Sequence, residues 1–173
     1  MGLFDRFRPP DQPPPLPDDP VFGEIERTDD GGWEAYTPFE PVDDDISVIG
    51  PDAEPTEEQR QLFLQLKERY AVLSKSIARC LFELCKPHLA TADDAGRPRP
   101  KSSDEILTLT GLNWIEFGSG GEMRLGYGFR DDDDVVGPIF TIRILGWQPT
   151  GESLDLEDGE MDDKQDSETA DDE

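Results

Sequence analysis

Apolar residues recur at Leu62, Leu66, Tyr70, Leu73, Ile77, Leu81 and Leu84, in steps of 4, 4, 3, 4, 4 and 3. That spacing keeps one side of an α-helix apolar over its whole length. Phe63, Leu64, Val72, Cys80, Phe82 and Cys85 widen the stripe. The ends carry their own signals. Thr56 followed by Gln59 forms a T-x-x-Q capping box, and Glu57 and Glu58 place negative charge in the first turn. Pro87 is expected to end the helix. Some 30 residues span about 45 Å. This exceeds a small domain, so a bend or break is expected near Ser74–Ser76.

The flanking segments follow a shorter period. Val21–Thr28 and Trp33–Phe39 read as strands joined by the turn Asp29-Asp30-Gly31-Gly32. Ile46, Val48 and Ile49 form a third short strand closed by Gly50-Pro51. After the helix comes a linker, ATADDAGRPRPK, then a helical turn capped by Ser103 and running to Leu109. Leu112–Phe117 is a strand, and Gly118-Ser119-Gly120-Gly121 a turn. Met123, Leu125, Tyr127 and Phe129 alternate with Arg124, Gly126, Gly128 and Arg130, a period of two. Asp131–Val136 reads as a loop, and Pro138 opens a last strand with Phe140, Ile142 and Ile144 on one face. An antiparallel sheet needs one face covered, and the helix offers a matching stripe. The predicted fold is α+β: one long amphipathic helix packed on a mostly antiparallel sheet of about six strands.

Composition sets the limits of that body. Residues 5–20 hold seven prolines and four aspartates, and the chain from Asp155 to Glu173 is acidic and polar with no aromatic residue. Neither stretch can bury enough apolar surface to offset its ordering entropy. The expected organisation is a disordered Pro-rich leader over 1–20, one domain over 21–152 and a disordered acidic tail over 153–173. Within the leader, Pro14–Pro17 has a P-x-x-P step, read as a spacer.

The formal net charge is −25, from 41 Asp and Glu against 16 Lys and Arg. Such a surface repels phosphate backbones and anionic membranes, which argues against nucleic-acid and membrane partners. It attracts basic proteins. Aspartate outnumbers glutamate and only five of the cations are lysine, a balance suited to a high-salt setting or an acidic proteome. No stretch approaches the ~20 apolar residues of a membrane span. MGLFDRFR is too short and too charged for a secretory signal, and Arg6 breaks the myristoylation pattern. A cytoplasmic location is expected.

Catalytic and cofactor chemistry finds little material. Cys80 and Cys85 lie five apart on the helix, about 140° around it, and match neither a disulfide nor a zinc spacing. The single histidine, His88, sits at a helix end and reads as a capping or surface residue. Asp43-Asp44-Asp45 and Asp131–Asp134 lack the spacing of a calcium loop. Gly118–Gly121 has no helix N-terminus behind it and so is no phosphate cradle. Gly126 and Gly128 share a strand face that is crossed closely by other backbone or marks a bulge. No catalytic, metal or cofactor residue is expected, and the chain reads as a non-enzyme. Trp33, Tyr36 and Trp147 are the candidates for a partner-contact surface, with core packing as the competing reading.

The Phe22-Gly23-Glu24-Ile25-Glu26 start, the Gly31-Gly32-Trp33-Glu34-Ala35-Tyr36 step and the Glu57-Glu58-Gln59-Arg60-Gln61-Leu62-Phe63 helix start together resemble a group of uncharacterised bacterial domains. The segments from Met123 to Asp132 and from Ile139 to Ile144 are similar to that group's C-terminal strand pair. A Trp and a Glu-His-Gly step usually lie between those strands; here Asp131–Gly137 stands instead, with neither Trp nor His. The resemblance implies an α+β domain in a bacterial cytoplasm and carries no catalytic residue over. Toxin neutralisation is one role it implies. The leading functional expectation is therefore an acidic, non-enzymatic domain that binds a basic protein, immunity-like. The alternatives are a structural adaptor tethered by its two ends, and a hydrolase using a carboxylate dyad or a metal.

Overall fold

A computed structural model of the chain describes residues 15–89, 100–131 and 134–155. Most of the proline leader, nearly all of the linker, the acidic tail beyond residue 155 and the middle of the Asp131–Asp134 run lie outside the described residues. The architecture is α+β, one long helix packed on a mostly antiparallel sheet, with seven strands rather than six. In chain order the elements are β1 (Glu26–Arg27), β2 (Trp33–Phe39), β3 (Asp44–Gly50), α1 (Glu57–Leu89), α2 (Ser103–Leu109), β4 (Thr110–Phe117), β5 (Met123–Asp131), β6 (Asp134–Leu145) and β7 (Gln148–Asp155). The spatial order in the sheet is the chain order. Every neighbouring pair is antiparallel except β3 and β4, which run parallel with Ser47 opposite Trp114. Parallel neighbours need a long crossover, and the segment holding α1 and α2 supplies it.

The start of α1 is fixed by the capping box. Gln59 N–H donates to Thr56 Oγ1 at 3.2 Å, and Thr56 N–H donates to Gln59 Oε1 at 2.8 Å. The helix then runs unbroken for 33 residues, about 50 Å. The break expected near Ser74–Ser76 is absent, because an apolar face supported along its length gives the helix no reason to open. Pro87 does not end it either: the helix passes through it to Leu89. So near the C-terminus only one interior hydrogen bond is lost.

Phe63, Leu66, Tyr70, Leu73, Ile77, Leu81 and Cys85 are buried against the sheet. Leu62 and Leu84 sit half-buried at the margins, while Leu64 and Val72 face outward, Val72 at 79 % exposure. The stripe is thus narrower than the sequence implies. Each fully buried Leu or Ile contributes roughly 1.5–3 kcal/mol. An aromatic cluster anchors the first half of α1: Phe22 lies 4.8 Å from Trp33 and 5.1 Å from Phe63, and Phe39 lies 5.2 Å from Tyr70. The second half reaches β7, where Cys80 Sγ donates to the Pro149 carbonyl at 3.6 Å and Leu84 packs over Gly151.

Three departures concern the strands. Val21–Ile25 is not a strand. Asp19 Oδ1 accepts from the Val21 and Phe22 amides and Asp19 bonds Gly23 through its backbone, so a turn tucks Phe22 and Ile25 into the core. Pro138 lies inside β6 beside a register shift opposite Tyr127–Phe129, where its missing N–H leaves no ladder bond broken. β7 is a strand that QPTGESLD does not announce. At both ends ordered contacts pass the expected boundaries: Leu16 packs against the core, Asp19 is buried, and β7 continues to Asp155. Finally, α2 is N-capped at Ser102 rather than Ser103, with no side-chain cap bond.

Candidate functional site

The face of the sheet turned away from α1 is covered by no described element. Strand pairing aligns a row across it: Tyr36 on β2, Ser47 on β3, Trp114 on β4, Gly126 on β5 and Thr141 on β6. Four inter-strand steps make this row about 19 Å long. Tyr36 is 72 % exposed. Trp114 is partly buried because its indole lies over Gly126, where a Cβ would collide with the ring. Trp114 reaches this face through a register shift between Leu112 and Trp114, with Asn113 as the extra residue. Leu112 faces α1, and without the bulge Trp114 would face it too. Gly126 therefore marks a bulge on the neighbouring strand and a side chain lying across it, rather than a backbone crossing. The same device recurs on the inner face, where the Trp33 indole fills the space over Gly50.

A parallel row carries the charge. Arg124 contacts Glu122 at 3.1 Å, Glu152 at 3.0 Å and Glu116 at 3.7 Å, and Arg143 contacts Glu122 at 2.8 Å. The β4–β7 half of the face is thus internally paired, three acids against two arginines. The β1–β3 half is not: Glu26, Glu34 and Asp45 surround Tyr36 and pair with no cation among the described residues.

The three aromatic candidates separate. Trp33 is wholly buried and belongs to the core; its Nε1 has no hydrogen-bond partner among the described residues, an omission that costs about 1–3 kcal/mol. Tyr36 stands on the open face. Trp147 sits in the two-residue β6–β7 turn with φ +64°, after Gly146 at φ +56°, and stacks on the Arg69 guanidinium of α1 at 4.6 Å. It therefore lies on the helix side and shares no patch with Tyr36. Trp114 has no apolar period of its own to mark it as outward. Its only sequence signal is the outward glycine pair on the next strand.

On the helix side, α1, α2, the β2–β3 turn and the ends of β4 and β5 border a half-open cavity of about 330 Å³. Tyr70, Ser74, Leu107, Leu112, Tyr127 and Arg130 line it. Tyr70 Oη and Tyr127 Oη are 2.9 Å apart, both nearly buried. Burial raises the pKa of Tyr70, against a hydrogen bond from Tyr127 and the Arg130 charge, and burial raises Tyr127 well above the usual phenol value. Both stay protonated donors. Arg130 Nε donates to the Thr110 carbonyl at 3.2 Å, which fixes the guanidinium.

Among the described residues, carboxylates are exposed or half-exposed with one exception. Asp19 is buried; burial pushes its pKa up, but Arg60 at 2.7 Å and the amides of Val21 and Phe22 bring it below the usual carboxylate value. Among the described residues no three His, Cys, Asp or Glu side chains assemble as metal ligands. Asp43–Asp45 lie in and beside the β2–β3 turn, with Asp43 at φ +56°. The backbone of His88 lies in the last turn of α1. Both cysteines are free thiols. No described helix is long and apolar enough to cross a membrane. No protein-family model, no curated protein and no solved structure matches this chain.

Proposed function

We propose that this chain is a non-enzymatic binding domain that takes up a basic protein partner on the open face of its sheet, with Tyr36 as the anchor. The observation behind this is Tyr36 itself: a tyrosine 72 % exposed in the middle of a strand, ringed by Glu26, Glu34 and Asp45. An aromatic anchor within unpaired acids complements a surface with an apolar contact point and a basic rim. The net charge of −25 extends that attraction at long range. Trp114 and Ile49 continue the contact area along the face. A carboxylate-based hydrolase would need two buried acids with raised pKa in one cleft. The one buried described carboxylate, Asp19, is lowered and tied to Arg60. A basic toxin domain, met in a reducing cytoplasm, is the partner that the sequence resemblance favours.

The test is capture by the immobilised full chain from native lysate at moderate salt, in parallel with Tyr36→Ala and Glu34→Gln. A stoichiometric protein of high pI, held by the parent and released by either variant, supports the reading. Recovery of no stoichiometric protein, or equal recovery by all three baits, overturns it.

A further inference from the structure

The cavity beside α1 has a chemistry that packing alone does not require. Among the described residues the two phenols bond only each other, so they hold two hydroxyl hydrogens and use one. The second needs an acceptor, and the space both rings line is the cavity. Arg130 stands at the same cavity with Nε already engaged by the Thr110 carbonyl. That bond orients the guanidinium and leaves its terminal nitrogens as donors. No described carboxylate lies within 4 Å of it. The polar side thus offers a cation and a hydroxyl, both donors. Val42, Leu107 and Leu112, the last beside Tyr127 on the neighbouring strand, make the apolar part of the lining. About 330 Å³ is room for about ten waters at ~30 Å³ each, more than two hydroxyls need.

We propose that this cavity binds a small carboxylate with an apolar body, its carboxylate accepting from Arg130 and from the unused tyrosyl hydroxyl, its body lying against Leu107 and Leu112. A neutral ligand would gain no ion pair with the guanidinium, and an ion without an apolar body would leave Leu107 and Leu112 uncovered. The acids next in sequence to the lining, Asp43 after Val42 and Asp131–Asp134 after Arg130, oppose an anion here, so its pairing with Arg130 must outweigh them. This site lies on the helix side, opposite the Tyr36 face, so the two readings stand or fall separately.

The experiment is an NMR titration of the isotope-labelled full chain with three probes: sodium benzoate, its neutral counterpart benzamide, and sodium acetate. Saturable shifts at the amides of Ser74, Thr110 and Leu112 are expected with benzoate, at least tenfold tighter than with benzamide, and no saturation with acetate. Arg130→Gln, at an exposed position, should remove the preference for benzoate while leaving benzamide unchanged. Ser74→Phe, which fills the cavity from the helix margin, should abolish both. Absence of saturation by benzoate overturns the assignment, and so does equal binding of benzoate and benzamide, or benzoate binding that survives both variants.

Discussion

Replacing Tyr127 with phenylalanine removes one of two hydroxyls that meet at 2.9 Å where Tyr70 is 7 % and Tyr127 1 % exposed. A neutral hydrogen bond is worth about 1 kcal/mol net, and a buried hydroxyl left without a partner costs about 1–3 kcal/mol. Tyr127→Phe leaves the Tyr70 hydroxyl in that position, so a loss of about 1.5–2 kcal/mol is expected. Tyr70→Phe should lose somewhat more, because the Tyr127 hydroxyl it leaves behind is the more deeply buried of the two. The double variant removes donor and acceptor together and should fall well short of the sum, leaving a coupling of about 1–1.5 kcal/mol. The assay is urea unfolding followed by tryptophan fluorescence, in which such single losses move the midpoint by roughly 0.5–1 M. pH adds a second reading. Both folded phenols titrate above their unfolded value, so their contribution is complete below about pH 10 and is lost as pH rises past it. Tyr127→Phe should therefore flatten the alkaline loss of stability. Strict additivity of the two single changes, within about 0.3 kcal/mol, would refute the argument and mean that water in the cavity replaces either hydroxyl at no penalty.

Gly126→Val places a branched side chain where the Trp114 indole lies, and should destabilise by about 1–3 kcal/mol in the same assay while shifting tryptophan emission toward that of a more exposed ring. Asp19→Asn removes a carboxylate whose folded pKa is depressed; such a group stabilises above about pH 4 and ceases to as pH falls through its folded value. The variant should accordingly unfold at lower urea than the parent at pH 7, and the two midpoints should converge in acid.

What the chain announces is what neighbours in sequence decide among themselves. The Thr56–Gln59 box, the Asp29–Gly32 and Gly118–Gly121 turns and the Met123–Phe129 alternation each rest on residues within one turn or one strand, and each is found as read. Partnership across the fold leaves no local mark. β7 is an edge strand of mixed polar residues and a proline, held by its pairing with β6 rather than by an apolar period. The bulge at Asn113 exists only because β4 must match β5, and it alone decides that Trp114 leaves the core. For the same reason the sequence does not announce the cavity: Tyr70 on the crossover helix and Tyr127 on β5 are 57 residues apart and meet only in the fold. Of the three candidate contact aromatics, Trp33, Tyr36 and Trp147, only Tyr36 stands open on the bare face of the sheet.

The two outermost strands bear on how this chain behaves when crowded. A bare edge invites another copy to add its own strand, the first step toward fibrils. Here β1 is only two residues long, Glu26 and Arg27, too short a template to seed one. On the other margin β7 bears Pro149, which has no N–H to offer, a register shift near Gly151, and Glu152. A sheet ended in this way can leave an entire face bare for a visitor without zipping onto its own kind.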